Sequence, residues 1–318
     1  MLRIATRRSA LARAQATQVG QALGVDFELV PLATTGDRHP DRAVEAFDTT
    51  GLFVDAVREA VIDGSCDLAV HSAKDLPSDP VDELTVGAYP RREDPRDVLI
   101  TAEGHLLAAL PSVATVGTSS ARRRLQLLRV RPDLQVLPVR GNVDTRLRKV
   151  ADGELQAVVV ALAGLRRLYT DPAAGGIGPL GLPLRAVTLE PGECLPAPAP
   201  GVLALECRRD DTVTLEVLAA VDDPVTRASV TAERGFQITL GGGCLAPIGA
   251  LATIDGARLE LAGMLAAPVR RRVLRQSATG GADAPLEVAA QLAARIRELG
   301  GDRMLANIDG RERAGHGG

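Results

Sequence analysis

Residues 66–77 read Cys-Asp-Leu-Ala-Val-His-Ser-Ala-Lys-Asp-Leu-Pro, a short apolar run that passes directly into polar and charged side chains before a proline. The apolar part predicts a buried strand. Ligands of open α/β sheets bind beyond the carboxyl ends of the strands, so we expect the side chains that follow Val70 to meet one. Lys74 and Asp75 are therefore candidates for a functional site. The alternative is an ordinary surface ion pair at the end of a strand.

Composition favours the functional interpretation of Lys74. The chain contains 37 Lys plus Arg, yet only Lys74 and Lys149 are lysines. Lysine is a compact point charge and arginine a planar fork, so an ammonium group retained beside Asp75 indicates a specific use.

Length and composition predict a protein of two or three domains, because 318 residues exceed one typical domain. A net charge of -3, 2% aromatic residues and the lack of Trp argue against nucleic-acid binding. No signal-like segment or membrane-length apolar run is found, which predicts a cytoplasmic protein without a membrane partner. The cysteines show no metal-ligand spacing, so free thiols and no metal are expected. They are Cys66, Cys194, Cys207 and Cys244.

Strand and helix patterns alternate along the chain, which is typical of a parallel α/β sheet. Ser9 is the expected N-cap of the first helix. A charged run at 89–97 is a plausible crossing between domains, and the alternation then begins again. The predicted strands are 2–6, 27–32, 66–70, 114–117, 136–139 and 157–161, and the predicted helices begin after Ser9 and cover 51–62 and 121–129.

The chain is expected to return to its first domain after the proline-rich stretch 195–201, where residues 202–207 add a strand to the first sheet. A third unit follows, with a helix at 225–236, an Asp255-Gly256 hairpin turn and a helix at about 285–299. The predicted domains are 1–93 with 202–219, then 97–196, then 222–310, and residues 311–318 are expected to be a disordered tail.

A cluster of positive charge predicts an anion site. Residues 122–149 contain nine Lys or Arg and two Asp. Arg122, Arg123, Arg140 and Arg146 lie at strand-to-helix junctions, where guanidinium forks and helix N-termini suit carboxylates or phosphates. No Gly-x-x-x-x-Gly-Lys loop is present, which favours carboxylated small molecules over nucleotides. A solvated basic face is the alternative.

Cys244 follows three glycines on a predicted loop, where the backbone can approach a ligand closely. It is either a buried structural cysteine or a reactive or attached thiol.

Seven motifs in the same order resemble the porphobilinogen deaminase family, and the likeness covers nearly the whole chain. They are Ala5-Thr6-Arg7-Arg8-Ser9, Gly51-Leu52-Phe53, His71-Ser72-Ala73-Lys74-Asp75-Leu76-Pro77, Arg92-Glu93-Asp94-Pro95-Arg96-Asp97, Gly117-Thr118-Ser119-Ser120-Ala121-Arg122-Arg123, Arg140-Gly141-Asn142-Val143-Asp144-Thr145-Arg146 and Gly242-Gly243-Cys244-Leu245-Ala246-Pro247.

The resemblance implies two domains like periplasmic binding proteins, with mixed, mainly parallel sheets, and a small α+β C-terminal domain with an antiparallel sheet. It also implies a monomeric enzyme of haem biosynthesis that joins four porphobilinogens head to tail, with loss of ammonia, into hydroxymethylbilane. A dipyrromethane cofactor is expected as a thioether on Cys244, and Asp75 matches the catalytic aspartate.

Further site residues follow from the same resemblance. Arg7, Ser9, Arg140 and Arg146 match substrate-binding positions. The positions expected to bind the cofactor are Lys74, Thr118, Ser119, Ser120, Arg122, Arg123, Arg140, Arg146 and Gly243, in addition to Cys244.

The chain departs from the family pattern in two places. Thr50 and Asp55 flank the Gly-Leu-Phe motif where some members have lysines, which puts substrate handling by that loop in question. Pro200 replaces a glutamine, and so removes a side-chain amide and a backbone N–H near the cofactor site. The alternatives are an impaired deaminase homologue, a non-catalytic two-lobed binding protein for small anions, and a Schiff-base enzyme that uses Lys74.

Overall fold

Long-range contacts divide the chain into two units. The first unit contains Met1–Glu93 and Gly201–Arg227, and the second contains Asp94–Pro200 and Ala228–Gly318. The computed structural model describes residues 1–33, 54–169, 179–241, 246–267 and 272–306. The division into three domains stays a prediction.

The elements follow one another along the chain in this order. They are β1 (Leu2–Arg7), α1 (Ala10–Leu23), β2 (Phe27–Leu32), α2 (Asp55–Ile62), β3 (Leu68–Ser72), β4 (Leu84–Ala88), β5 (Asp97–Thr101), β6 (Thr115–Gly117), α3 (Ala121–Val130), β7 (Gln135–Leu137), α4 (Val143–Ala151), β8 (Ala157–Ala161), α5 (Leu162–Leu168), β9 (Arg185–Thr188), β10 (Leu203–Arg208), α6 (Thr212–Ala219), α7 (Pro224–Leu240), β11 (Ile248–Asp255), β12 (Arg258–Ala267), β13 (Arg272–Gly281) and α8 (Pro285–Glu298).

The first unit is built on a five-stranded sheet of order β2-β1-β3-β10-β4. β1 is parallel to β2 and β3, and β10 is antiparallel to β3 and β4. The prediction that the segment after the proline-rich stretch adds a strand to this sheet is therefore confirmed. Ser9 is also confirmed as the N-cap of α1, because its side chain accepts a hydrogen bond from the Ala12 N–H.

Successive side chains of the first sheet point to opposite faces, and each face has its own apolar core. On one face Ile4 and Leu68 pack in a cluster with residues of α1 and α6. On the other face Ala5 and Ala69 pack with the buried side of α2. Because the sheet is covered on both faces, successive residues of its central strands are both buried, as at Ile4 and Ala5.

The second unit contains a sheet of order β7-β6-β8-β5-β9. β6 is parallel to β7 and β8, whereas β5 is antiparallel to β8 and β9. In this sheet β5 takes the position that β10 takes in the first, so both sheets have the same topology. The predicted pair of α/β domains with mixed, mainly parallel sheets is thus confirmed.

The second unit also contains the predicted antiparallel sheet, of order β11-β12-β13. Helices α7 and α8 pack on it around a core that includes Phe236 and Leu292. Asp255 pairs with Arg258 across the hairpin, so Gly256 and Ala257 form the turn, one residue later than predicted. Gly256 has a φ of 55°, a left-handed conformation that favours glycine.

Among the strands that the described residues form, β4, β5, β9 and β13 were not predicted. Asp97 illustrates the reason, because the charged run 89–97 was interpreted as a crossing although Asp97 is the first residue of β5 and is only 2% exposed. The predicted strand at 136–139 is β7, which ends at Leu137 because Pro138 has no backbone N–H to donate. Residues 51–53 of the predicted second helix and the tail 311–318 lie outside the described residues.

Candidate active site

The first unit brings Arg7 and the Asp75 turn to one edge of its sheet. Arg7 is the last residue of β1, and the turn directly follows β3. These strands are parallel neighbours, so their carboxyl ends lie at the same edge. Arg7 and Ser9 are half-buried there, at the start of α1.

The Asp75 turn is a single turn of 3₁₀ helix over Ala73–Asp75. The Ala73 N–H donates to the carbonyl of Val202 at 3.0 Å, and Leu76 is buried directly after the turn. Lys74 and Asp75 themselves are exposed. The backbone is therefore held on both sides of the turn while the two charged side chains face solvent, and their role at a site stays a prediction.

A polar contact from α1 supports this turn. The Gln15 side chain is 5% exposed, and its amide donates to the Ser72 Oγ at 3.1 Å. Ser72 immediately precedes the turn, so the contact fixes the last residue of β3 against α1.

A buried ion pair lies on the opposite face of β3. Glu206 of β10 is 4% exposed and accepts two hydrogen bonds of 2.9 Å from the guanidinium of Arg58. The His71 Nε2 lies 3.3 Å from the Glu206 Oε2. Burial alone raises the pKa of Glu206, but the contacts with His71 and Arg58 outweigh burial and lower it. Sequence analysis missed this group, although a glutamate inside the apolar run 202–207 was a signal for it.

In the second unit, hydroxyl groups cluster where β6 meets α3. Ser120 caps α3 by accepting from the Arg123 N–H at 3.4 Å, and its own N–H donates to the Thr118 Oγ1 at 3.2 Å. The exposed Ser119 donates to the Val139 carbonyl at 2.7 Å and accepts from the Val139 N–H at 3.1 Å. The predicted serine and threonine positions therefore form the loop between β6 and α3, and Ser119 ties this loop to Val139, directly before Arg140.

The next helix starts beside them with a similar cap. Asn142 accepts a hydrogen bond from the Thr145 N–H at 3.0 Å, and the neighbouring Gly141 has a φ of 95°. β6 and β7 are parallel neighbours, so the N-termini of α3 and α4 lie at one edge of the sheet. Free N–H groups at two helix N-termini favour an anion.

Arg146 carries an incompletely compensated charge at that edge. Its Nε donates to the Gly141 carbonyl at 2.9 Å, and no carboxylate of the described residues pairs with it. Burial lowers the pKa of Arg146, and the positive charge of Arg123 lowers it further. The two guanidiniums are thus close enough to repel, which an acidic ligand would relieve. Arg140 is exposed in the same loop.

Arg122 and Arg123 are held inside the second unit by Asp97. The Asp97 Oδ2 lies 2.9 Å from one guanidinium nitrogen of Arg122, and the Oδ1 lies 2.7 Å from one of Arg123. Burial would raise the pKa of Asp97, but the two arginines outweigh burial and hold it far below its usual range. Arg122 also donates to the Leu195 carbonyl at 2.6 Å, and Arg123 to the Val159 carbonyl at 3.1 Å. Both arginines therefore have a structural role within the second unit, in addition to the ligand binding predicted for them.

The segment that carries the Pro200 substitution is anchored by Glu233 of α7. This carboxylate is fully buried and accepts from the Ala199 N–H at 2.6 Å and from the Ala252 N–H at 2.7 Å. The Pro196 carbonyl accepts from the Ala250 N–H at 3.0 Å. Backbone contacts thus hold the segment against β11 in this chain.

Gly243 and Cys244, which were predicted to bind the cofactor, lie outside the described residues, as do Thr50 and the Gly-Leu-Phe motif. Asp55 is the exposed first residue of α2. The other three cysteines are free and buried, and burial raises the pKa of Cys194 and Cys207 to about 11. Within the described ranges, no group of three or more acidic, His or Cys side chains could hold a metal ion. None of the helices in those ranges is long and apolar enough to cross a membrane.

Comparison with known families assigns two consecutive matches. Residues 2–216 match the family described as porphobilinogen deaminase, dipyromethane cofactor binding domain. Residues 228–298 match the family described as porphobilinogen deaminase, C-terminal domain. The chain belongs to the porphobilinogen deaminase family.

Relatives extend this likeness over almost the full length. A porphobilinogen deaminase of Acidothermus cellulolyticus is 43% identical over 312 residues, which are 96% of this chain and 91% of the relative. That of Roseiflexus sp. is 45% identical over 308 residues, or 95% of this chain and 98% of the relative. The porphobilinogen deaminase of Brevibacillus brevis is 40% identical over 312 residues, which are 96% of this chain and 97% of the relative.

Solved structures give a more distant likeness. The second substrate binding domain of a putative amino acid ABC transporter from Streptococcus pneumoniae aligns with a TM-score of 0.41 at 12% identity, covering 70% of this chain and 92% of that chain. The VFT2 domain of BvgS from Bordetella pertussis gives a TM-score of 0.37 at 18% identity, covering 69% of this chain and 85% of that domain's chain. The fold assignment follows from the sheet topology and the family, not from these scores.

Proposed function

We propose that the chain is a porphobilinogen deaminase that joins four porphobilinogens into hydroxymethylbilane and releases ammonia. The observation that carries the proposal is the pair of family matches over residues 2–216 and 228–298, together with motif residues that lie at the carboxyl edges of both sheets. A purely binding function is not favoured, because relatives over nearly the whole length are named as the deaminase. We further propose that it acts as a monomer in the cytoplasm.

The described residues of the second unit fit a group that bears several carboxylates. Two capped helix N-termini, the Ser119 loop and the partly compensated Arg146 all favour negative charge. We assign cofactor binding to Thr118, Ser119, Ser120, Arg122, Arg123, Arg140 and Arg146 of this unit, with Lys74 of the first unit and Gly243 beside the attachment residue. The proposed attachment residue is Cys244, through a thioether.

When bound, the dipyrromethane supplies the free pyrrole carbon to which the first substrate is joined. At each addition the bond between the aminomethyl carbon of porphobilinogen and its nitrogen breaks, and the nitrogen leaves as ammonia. A carbon–carbon bond forms to the neighbouring pyrrole, which loses the proton of that carbon. Water would finally cleave the bond between the completed chain of four and the dipyrromethane, with its hydroxyl going to the methylene carbon of the product and its proton to the pyrrole carbon left behind.

Asp75 has the position to serve the bond-breaking step. In its acid form the exposed Asp75 side chain can protonate the departing amine, and the carboxylate that this transfer leaves can stabilise the cationic carbon. Lys74 lies next to it, and Arg7, Ser9, Arg140 and Arg146 are assigned to the acetate and propionate groups of the substrate. Because each added pyrrole brings two more carboxylates, a chain of four requires several positive groups.

An intact-mass measurement tests the cofactor assignment. In protein produced by cells that make porphobilinogen, we expect a mass above that of the bare chain by one dipyrromethane. Cys244→Ser should lose this addition, whereas Cys66→Ser, at a fully buried thiol, should keep it. A bare chain in the parent protein, or an unchanged addition in Cys244→Ser, would contradict the assignment.

A further inference from the structure

Three buried polar groups of the first unit have no part in the proposed chemistry. Glu206, Arg58 and His71 have side chains that are 5%, 11% and 5% exposed. They come from β10, α2 and β3, so a single network joins three elements. A buried ion pair must offset the loss of hydration of both charges and adds little to stability compared with apolar side chains of similar size. Val57 and Val61, on the same helix as Arg58, are buried in an apolar cluster.

The register of the sheet connects this network to the Asp75 turn through His71, whereas Glu206 itself pairs with Ala69 earlier in β3. His71 pairs with Ala204, and Ser72 pairs with Leu203, at the end of the β3 ladder. The next contact is the hydrogen bond from the Ala73 N–H to the Val202 carbonyl, which belongs to the turn itself. The hydrogen-bonded ladder between β3 and β10 therefore continues without a break from Glu206 to the turn.

Both faces of β3 are held by a polar contact at this end. Because side chains alternate along a strand, His71 points toward the face covered by α2 and Ser72 toward the face covered by α1. His71 contacts Glu206 on the first face, and Ser72 accepts from Gln15 on the second. The Gln15–Ser72 contact is a directional hydrogen bond, whereas the His71 Nε2 makes no hydrogen bond and lies beside the Glu206 carboxylate as an electrostatic contact. The two contacts together hold the end of the strand from both faces.

We propose that Glu206 is a positioning residue for Asp75, acting through His71 and held in place by Arg58. The inference rests on the proposed function, since it assigns the network to the residue that carries the chemical step. In this proposal the Glu206 carboxylate fixes the end of β3. The end of β3 in turn fixes the backbone turn that carries Asp75. A catalytic group displaced by about 1 Å can lose on the order of a hundredfold in rate.

The test compares two variants of the same sheet. Glu206→Gln removes the buried charge behind the turn. Asp67→Asn is the matched control, because Asp67 pairs with Arg3 at 2.6 Å at the other end of β3, away from Asp75. Both should lower the melting temperature. Only Glu206→Gln should lower kcat, by about ten- to a hundredfold, with KM and the cofactor mass unchanged because the assigned substrate-binding arginines remain.

Two further variants separate positioning from folding. Arg58→Lys keeps the positive charge, so the buried carboxylate stays neutralised, but it cannot form the paired hydrogen bonds. It should fold and show a smaller loss of kcat than Glu206→Gln. Glu206→Asp restores the carboxylate and should recover part of kcat. If Glu206→Gln does not fold, the kcat of Arg58→Lys tests the positioning role instead. A reduced kcat supports that role, and a wild-type kcat overturns it.

The outcomes distinguish this inference from the proposed function. Wild-type kcat in folded Glu206→Gln or Arg58→Lys, while Asp75→Asn is inactive, would overturn the positioning role alone. An equal loss of kcat in Asp67→Asn would also overturn it, since general destabilisation would then explain the effect. Wild-type kcat in Asp75→Asn would instead remove the catalytic assignment on which the inference rests.

Discussion

Individual arginines of the second unit differ in what surrounds them, although the sequence presents them as one basic cluster. Arg123 pairs with the buried Asp97, whereas Arg146 contacts only a backbone carbonyl among the described residues. The sequence could predict the cluster from its position at strand-to-helix junctions. It could not predict the pairing, because Asp97 lies 26 residues before Arg123 and only the sheet brings them together.

Replacement of Arg146 should affect ligand binding more than folding. Arg146→Leu removes a charge that is repelled by Arg123, so the melting temperature should be unchanged or slightly higher. Porphobilinogen turnover should fall, since a charged hydrogen bond to a carboxylate contributes roughly 1.5 to 3 kcal/mol. Steady-state kinetics and thermal unfolding check both parts. Arg148→Leu, an exposed arginine of the same helix, is the control and should retain turnover.

Arg123→Leu should behave differently from Arg146→Leu. It leaves the buried Asp97 with one partner, and loss of a buried partner destabilises by about 3 to 5 kcal/mol. Equal stability of the two variants would contradict the distinction between these arginines.

Asp97 should make the free energy of unfolding depend on pH. Because the arginines hold its folded-state pKa far below the unfolded value of about 3.9, its contribution is complete above that value and is lost as the pH falls toward the folded pKa. Urea unfolding should show a large advantage of the wild type over Asp97→Asn at pH 7. The advantage should shrink below about pH 4. A difference that does not change with pH would exclude this ion-pair account.

At the scale of the elements, apolar runs were sufficient to predict the central strands. β8 is apolar throughout, and β1, β3 and β10 each contain two or three consecutive apolar residues, which suits sheets covered on both faces. β9 was missed because it is a four-residue edge strand, and β5 because its first residue is a buried acid whose partners lie elsewhere in the chain. The helix over residues 212–219 was likewise not predicted.

Close packing within the antiparallel sheet gives a prediction for this element. A Cβ at Gly263 of β12 would lie 2.6 Å from the Leu292 Cδ2 and within 3 Å of the Phe236 ring. Gly263→Ala should therefore destabilise the protein by about 1 to 3 kcal/mol. Gly192→Ala is the control, because nothing lies within 4 Å of its added Cβ. Chemical denaturation measures the free energy of unfolding of both variants. Equal values would contradict the prediction and would mean that α7 and α8 shift to accept the added methyl group.

At the scale of the whole molecule, the two α/β sheets share one topology but present different chemistry at their carboxyl edges. The first presents an exposed carboxylate on a braced turn, and the second presents arginines and helix N-termini. The motifs at the strand ends predicted an acidic catalytic residue in the first unit and anion-binding arginines in the second, and these roles stay predictions. The contact of His71 with Glu206 and the hydrogen bond from Ala73 to Val202 were not predicted. They depend on the pairing of β3 with β10, which are more than 130 residues apart.

The central claim is that Asp75 carries the chemical step of a deaminase, and the most direct test is the rate of porphobilinogen consumption by Asp75→Asn with its cofactor in place. The variant should be reconstituted with a preformed tetrapyrrole precursor and checked by intact mass, so that failed cofactor assembly is not mistaken for failed catalysis. Asp79→Asn, at an exposed carboxylate four residues further on, is the matched control. We expect a loss of about a hundredfold or more in Asp75→Asn, a smaller loss in Asp75→Glu and none in the control. Wild-type consumption by Asp75→Asn that carries its full cofactor mass would contradict the account.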